Sequence, residues 1–171
     1  MAKNAEWTAA YARQAEVDLN TYESLTRIQA RDKIPDCHIL QFLQMACEKL
    51  VKAALCCDPI DPKSLQKSHD YVAKTLPVVF KGNLALLGNS SLKAAQGFQT
   101  LARHLAQEIN LLAPAVKREG KRPDNCEYPW EDADAAMHTP LNHPFVPSQL
   151  LVIPAGRSFL KLVQGAIHRL L

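Results

Sequence analysis

The stretch at residues 39–57, ILQFLQMACEKLVKAALCC, decides the fold class. Its side chains are apolar almost all round. Polar residues recur at steps of three, four and four, at Gln41, Gln44, Glu48 and Lys52. These steps place the four polar side chains in one narrow stripe of an α-helix. We therefore predict a helix at the centre of a helical bundle, with a buried or half-buried polar stripe whose groups must find partners.

Helical periodicity recurs along most of the chain. We predict an all-α fold, an up-and-down-like bundle of four to five helices. The expected helices cover about residues 4–30, 37–57, a third from near Ser68, a fourth after Ser90 or Ser91, and 154–171. Asp36 is the expected cap of the second helix. Pro77 is expected to kink or end the third helix, and Pro114 to end the fourth.

A long proline-rich connection precedes the last helix. Seven of the eleven prolines of the chain fall between Pro114 and Pro154. Long irregular segments inside compact domains are uncommon and often functional. We expect one domain over 1–171, in which 114–153 forms a long irregular insertion with one short helical turn at 131–137.

Composition favours an ordinary soluble protein. The chain has 171 residues, of which 47% are hydrophobic and 22% charged, and its net charge of +3 is too small to indicate nucleic acid by itself. No secretory signal and no apolar run of membrane-spanning length is visible. The five cysteines include no CxxC pair, which is typical of reduced thiols. We expect a cytoplasmic protein with no membrane contact.

The stretch MACEKLVKAAL at 45–55, followed by His69-Asp70, resembles the core of HEPN domains, which are small helical bundles. Their second helix typically reads A-x-E-K-x-x-K-A-x-L, and the next helix begins with His-Asp and an apolar residue. The matching residues here are Glu48, Lys49, Lys52, His69 and Asp70.

The resemblance implies two functional branches. Some HEPN proteins are metal-independent endoribonucleases, whose arginine and histidine have four to six residues between them and lie near the start of the last helix. Others are non-catalytic partners of nucleotidyltransferases, or binding modules, in toxin–antitoxin or defence-type systems. The implied partners are a second copy of the chain, a nucleotidyltransferase-type protein, and RNA or a nucleotide. No cofactor is implied.

The catalytic branch has one candidate pair. Only Arg31 is followed at the required spacing by a histidine, His38, and this pair lies before the second helix. A histidine can move the 2′-hydroxyl proton of RNA while an arginine holds the phosphate. At the last helix Arg157 has no histidine until His168, a departure from the family's pattern. We therefore favour the non-catalytic branch. The alternatives are an endoribonuclease of the HEPN type and a purely structural helical dimer.

The remaining polar residues have two interpretations each. Glu48 and Lys52, four residues apart, are expected to form a structural ion pair, although Lys49 or Lys52 could contact a nucleotide. His69 either caps a helix or reaches Glu48 across the bundle. The basic cluster after the fourth helix is either a solvated turn or a phosphate-binding patch, and it contains Lys117, Arg118, Lys121 and Arg122.

The proline-rich segment also contains aromatic and metal-ligand residue types. Tyr128 and Trp130 either stack on bases or anchor the segment to the bundle. The spacing of His138 and His143 does not match known zinc sites, so we expect no metal and assign these residues to packing over the bundle.

Overall fold

The computed structural model describes residues 2–58, 60–66, 69, 71–87, 92–114 and 124–171. The structure is 72% helical, and the described residues form seven α-helices and almost no strand, which confirms the all-α prediction. The α-helices are α1 (Ala2–Asp32), α2 (Asp36–Leu55), α3 (Pro62–Leu65), α4 (Val72–Lys81), α5 (Leu92–Leu111), α6 (Val146–Leu151) and α7 (Pro154–His168). Shorter elements are two 3-10 segments, Leu84–Leu87 and Pro140–Asn142, and two strands, β1 (Trp130–Glu131) and β2 (Met137–His138).

The predicted central position of α2 is confirmed. This helix packs against α1, α4, α5, α6 and α7. Its side chains Leu43, Leu50 and Val51 are completely buried, and burial of each such side chain stabilises the fold by about 1.5–3 kcal/mol. In the same core the rings of Phe80 and Phe159 meet edge to face, with 4.9 Å between their centroids.

The connection between α1 and α2 explains why Asp36 is not the cap. Lys33 adopts a left-handed conformation with φ of 52°, and the N–H of Ile34 donates to the carbonyl of Gln29, which ends α1. Pro35 occupies the capping position of α2 and has no side-chain acceptor. Asp36 instead lies in the first turn, where its carboxylate accepts from Gln29 Nε2 at 2.5 Å. Its negative charge there interacts favourably with the positive end of the helix dipole.

Of the two outcomes expected at Pro77, a kink or the end of its helix, the structure excludes the end of the helix. The proline lies inside α4, which continues to Lys81. A proline removes one hydrogen bond of the helix. Val72, Leu76 and Phe80 recur every four residues and are all buried in the core. The packing of this apolar face keeps the helix continuous.

The described part of the predicted insertion, residues 124–153, is more regular than expected, and the predicted helical turn at 131–137 is wrong. Strands β1 and β2 pair antiparallel there, with Trp130 opposite His138. Asp132 Oδ1 accepts from the N–H groups of Asp134 and Ala136, at 2.9 and 3.0 Å, and Ala135 has a φ of 60°. The Asp132 side chain therefore accepts the backbone N–H groups that would donate to backbone carbonyls in a helical turn.

The junction of α6 and α7 is tightly packed. Helix α7 leaves the preceding segment Pro140–Leu151 at 86°. A Cβ at Gly156 would lie 2.0 Å from the carbonyl oxygen of Leu150, so this position admits only glycine. No single helix among the described residues is long and apolar enough to cross a membrane, although this bent pair would satisfy both criteria together.

Candidate functional site: the Glu48 cluster

The candidate site is built around Glu48 in the middle of α2. Its carboxylate accepts from Lys52 Nζ at 2.7 Å and from Gln44 Nε2 at 3.0 Å. The three residues lie four apart, so consecutive turns of one helix bring them together. The side chain of Lys52 is only 5% exposed and that of Glu48 13%. The predicted polar stripe is therefore buried or half-buried, and Gln44, Glu48 and Lys52 of it bond to one another.

His69 completes the cluster from a different part of the chain. Its Nδ1 lies 3.0 Å from Glu48 Oε2, which confirms the expectation that this histidine reaches the stripe. The imidazole is 38% exposed. His69 thereby ties the connection before α4 to the central helix. We call Gln44, Glu48, Lys52 and His69 the Glu48 cluster.

The electrostatics of the Glu48 cluster favour an ionised carboxylate. Burial alone would raise the pKa of Glu48, but hydrogen bonds from Lys52, His69 and Gln44 outweigh burial and hold the pKa below its ordinary value of 4.5. Lys52 neutralises the carboxylate in a region with little access to water. The pair is therefore an internal ion pair whose charges depend on each other.

Lys49 has a separate partner. Its Nζ lies 2.8 Å from Asp18 Oδ2 on α1, in an ion pair whose angles are not those of a hydrogen bond. Asp18 is 3% exposed, and its Oδ1 accepts from Gln14 Nε2 at 3.2 Å. Lys49 is therefore committed to joining α1 and α2. Sequence reasoning missed Asp18, although an acidic residue seven positions after Tyr11, on the apolar face of α1, was a signal for a buried partner.

Tyr11 is a second residue that sequence reasoning assigned only to the core. Its hydroxyl is buried and has no hydrogen-bond partner among the described residues. Burial, with Cys56 and Glu48 nearby, raises the pKa of Tyr11. The tyrosine therefore stays neutral and adds a polar atom close to the Glu48 cluster.

This arrangement has little capacity for chemistry. The Glu48 carboxylate already accepts three donors, so it is not a free general base. Lys52 is directed at Glu48 and too buried to bind a phosphate in solution. Five surface clefts formed by described residues are lined by other side chains. The Glu48 cluster resembles a structural joint more closely than an active centre.

The structure does not assemble the Arg31–His38 pair. Arg31 forms two hydrogen bonds to its neighbour Asp32, at 2.7 and 2.8 Å, on the exposed last turn of α1. His38 is exposed on the first turn of α2. No hydrogen bond joins the two side chains in the described part of the chain, and the cleft beside them, lined by Gln29 and Asp36, includes neither.

The arginine of the last helix has other contacts as well. Arg157 donates to the carbonyl of Val152 at the start of α7. His168 lies 11 residues later, which is roughly 16 Å along the helix axis, and its Nε2 is 3.6 Å from Glu16 Oε1. The two residues cannot act on one phosphate from these positions.

The aromatic and histidine residues of the β1–β2 hairpin serve packing. Trp130 is buried, stacks on His138 and meets the edge of His143, with centroid distances of 6.0 and 5.1 Å. His138 Nε2 lies 2.6 Å from Asp132 Oδ2, and this hydrogen bond, with that from the Ala136 N–H, lowers the pKa of Asp132. No group of three or more His, Cys, Asp and Glu side chains suited to a metal occurs among the described residues.

Several predicted residues lie outside the described residues. They are Asp70 of the His-Asp pair and the entire basic cluster, Lys117, Arg118, Lys121 and Arg122. Of the two aromatic residues that follow that cluster in the sequence, Tyr128 is exposed and Trp130 is buried.

Comparison of this chain with protein-family models, with curated proteins and with solved structures gave no match.

Proposed function

We propose that this protein is a HEPN-like, non-catalytic interaction module of the cytoplasm. In this proposal it associates with a second copy of itself and with either a nucleotidyltransferase-type protein or RNA and nucleotides. The proposal extends the resemblance at 45–55 and His69 to the rest of the chain. The observation that carries it is that the Glu48 carboxylate is hydrogen-bonded to Gln44, Lys52 and His69. The residues that resemble the HEPN motif therefore stabilise the bundle.

The position of the arginines supports the non-catalytic form of this proposal. Arg31 is held by Asp32, and Arg157 by the carbonyl of Val152. In the endoribonucleases that the resemblance implies, an arginine and a histidine act together on one phosphate, as general acid–base and charge-stabilising groups. Neither arginine has a histidine as its partner among the described residues.

An RNA cleavage assay tests the proposal. Purified protein is incubated with single-stranded RNA, with and without a chelator, beside the variants Arg31→Ala and His38→Ala. We expect no cleavage above a heat-inactivated control. Chelator-resistant cleavage that either substitution abolishes would contradict the proposal and would favour the endoribonuclease alternative.

A binding assay separates an RNA-associated module from a purely structural dimer. We expect retention of RNA to fall with rising salt if phosphates are contacted. Neutralising Lys117, Arg118, Lys121 and Arg122 should then weaken retention and flatten its salt dependence. If RNA is not retained even at low salt, RNA is removed from the proposed partners and the nucleotidyltransferase-type protein remains.

A further inference from the structure

A cleft between α4 and α5 combines an apolar floor with a cationic rim. Its volume is about 300 Å³. Lys74, Lys81 and Arg103 line it, are exposed, and form no hydrogen bond or ion pair within the part of the chain that the structure describes. The apolar lining includes Phe80, Leu84, Phe98 and Ala102. Such a cleft suits a ligand that carries both an apolar group and negative charge.

The sequence around the α4–α5 cleft contains no acidic residue. Residues 71–107 include four Lys or Arg and no Asp or Glu, so this segment alone has more positive charge than the whole chain, whose net charge is +3. Three of these cations line the cleft. No carboxylate within the segment neutralises these cations, so this surface has a positive potential and attracts anions.

The apolar surface extends beyond the α4–α5 cleft. Val78 is 67% exposed, and it lines both this cleft and a second cleft of about 390 Å³ on the other side of α4. The second cleft adds Val79, Ala166 and Leu170. A ridge flanked by two clefts is too broad for a small molecule and fits a segment of a folded partner.

The partner chemistry favours protein over nucleic acid. Binding of single strands needs exposed aromatic rings on which bases stack. Phe80 and Phe98, the aromatic residues of the cleft, are buried at 2% and 9% exposure. A partner protein whose carboxylates flank an exposed apolar side chain would fit this cleft. The carboxylates would pair with the cationic rim, and the apolar side chain would cover the apolar floor.

A surface with that chemistry lies on the same chain. Residues 124–156 include five Asp or Glu and no Lys or Arg. Glu127, Glu131 and Asp134 are exposed and form no ion pair among the described residues. Beside them Tyr128 and Met137 are 59% and 70% exposed. The β1–β2 hairpin fixes this acidic and apolar surface in one conformation.

The hairpin of a single molecule forms no ion pair with its own cleft. The N–H of Cys126 donates to the carbonyl of Leu112 at 3.1 Å, which fastens the acidic segment just after the end of α5. The cleft is lined by residues 98–107 of that helix and by residues 73–84. Since the exposed carboxylates of the hairpin and the cations of the cleft are not paired among the described residues, a second molecule can supply the complementary surface.

We propose that the acidic β1–β2 hairpin of a second copy docks into the cationic α4–α5 cleft. Carboxylates of Glu131 and Asp134 pair with Lys74 and Arg103, and apolar side chains of the hairpin cover the apolar floor. This inference rests on the self-association in the proposed function and names the surfaces that produce it.

A charge exchange tests the docking. One variant carries Lys74→Glu and Arg103→Glu, and the other carries Glu131→Lys and Asp134→Lys. Self-association is measured by sedimentation equilibrium. We expect each variant alone to associate at least about tenfold more weakly than the wild type. An equimolar mixture should recover association, because the hairpin of each variant then complements the cleft of the other.

Matched controls separate local contacts from net charge. Arg13→Glu with Lys161→Glu lowers the net charge by the same amount as the cleft variant does. Both positions are exposed and lie outside the cleft, so this control should leave association unchanged. Association of both cleft and hairpin variants at the wild-type level, or a mixture that stays dissociated, would overturn this inference alone. A wild type that stays monomeric would also remove self-association from the proposed function, while the cleavage assay would still test its non-catalytic character.

Discussion

Glu48 Oε2 lies 3.0 Å from Nδ1 of His69, and this contact joins the middle of α2 to a residue 21 positions later in the chain. The same carboxylate accepts from Lys52 on its other oxygen. Glu48 thus links a buried ammonium to a half-exposed imidazole. Loss of Glu48 should therefore affect stability through both Lys52 and His69.

Removal of Glu48 should destabilise the protein strongly. Glu48→Ala leaves Lys52, which is only 4% exposed, without its carboxylate. An uncompensated buried charge costs about 3–5 kcal/mol. We expect a loss of about 3 kcal/mol in the free energy of unfolding, measured by urea denaturation.

Glu6→Ala is the matched control, because Glu6 is exposed on α1. Its expected cost is below about 0.5 kcal/mol. Equal losses for the two alanine variants would show that Glu48 has no special structural role.

Acid should weaken the protein through Glu48. The folded-state pKa of this carboxyl lies below its ordinary value of 4.5 because hydrogen bonds from Lys52, His69 and Gln44 outweigh burial. Its contribution is therefore complete above the unfolded pKa and disappears as pH falls through the lower folded pKa. The difference in unfolding free energy between wild type and Glu48→Gln should shrink below about pH 4. A constant difference from pH 7 to pH 3 would contradict the assignment.

Two glycines should respond in opposite directions to alanine. In Gly156→Ala the new Cβ would lie 2.0 Å from Leu150 O and 2.6 Å from Leu151 Cα, both backbone atoms of α6. We expect a loss of about 3 kcal/mol or more. Gly97 lies inside α5 and its new Cβ would meet nothing within 4 Å, so Gly97→Ala should gain about 0.5–1 kcal/mol. Thermal unfolding of both variants checks the pair, and a tolerated Gly156→Ala would refute the close packing of α6 on α7.

One cysteine should react with a thiol reagent in the folded protein. Cys57 is exposed, whereas Cys37, Cys47, Cys56 and Cys126 are buried. Burial also raises the pKa of the Cys47 thiol, which keeps it protonated and unreactive. Titration with an aromatic disulfide should show one fast thiol when folded and five when denatured. Cys57→Ser should abolish the fast phase, and two fast thiols would contradict the burial of Cys56.

The central helix could be predicted from sequence because its information is local. Steps of three and four residues fix which side chains of α2 share a face, and the burial of Leu43 and Leu50 follows from that pattern. The contact of His69 with Glu48 could be expected only from a resemblance. The pairing of Lys49 with Asp18 joins two helices, and no pattern within either helix specifies the register between them.

The hairpin could not be predicted because its turn has no glycine and an alanine occupies the position with positive φ. Residues 131–137, EDADAAM, have helix-forming composition and no glycine. Ala135 nevertheless adopts a positive φ, and Asp132 supplies the acceptors that hold the turn. Stacking of Trp130 on His138 stabilises the strands across the turn. Tertiary contacts overrode local propensity there, as they did at Pro77 in α4.

The most direct test of the structural role of the Glu48 cluster is a double-mutant cycle on Glu48 and His69. Unfolding free energies are measured for wild type, Glu48→Gln, His69→Ala and the double variant under identical conditions. We predict a coupling of about 1 kcal/mol in favour of the wild-type pair, since each residue stabilises the fold through the other. A coupling below about 0.3 kcal/mol, with His69→Ala as stable as the wild type, would contradict the account.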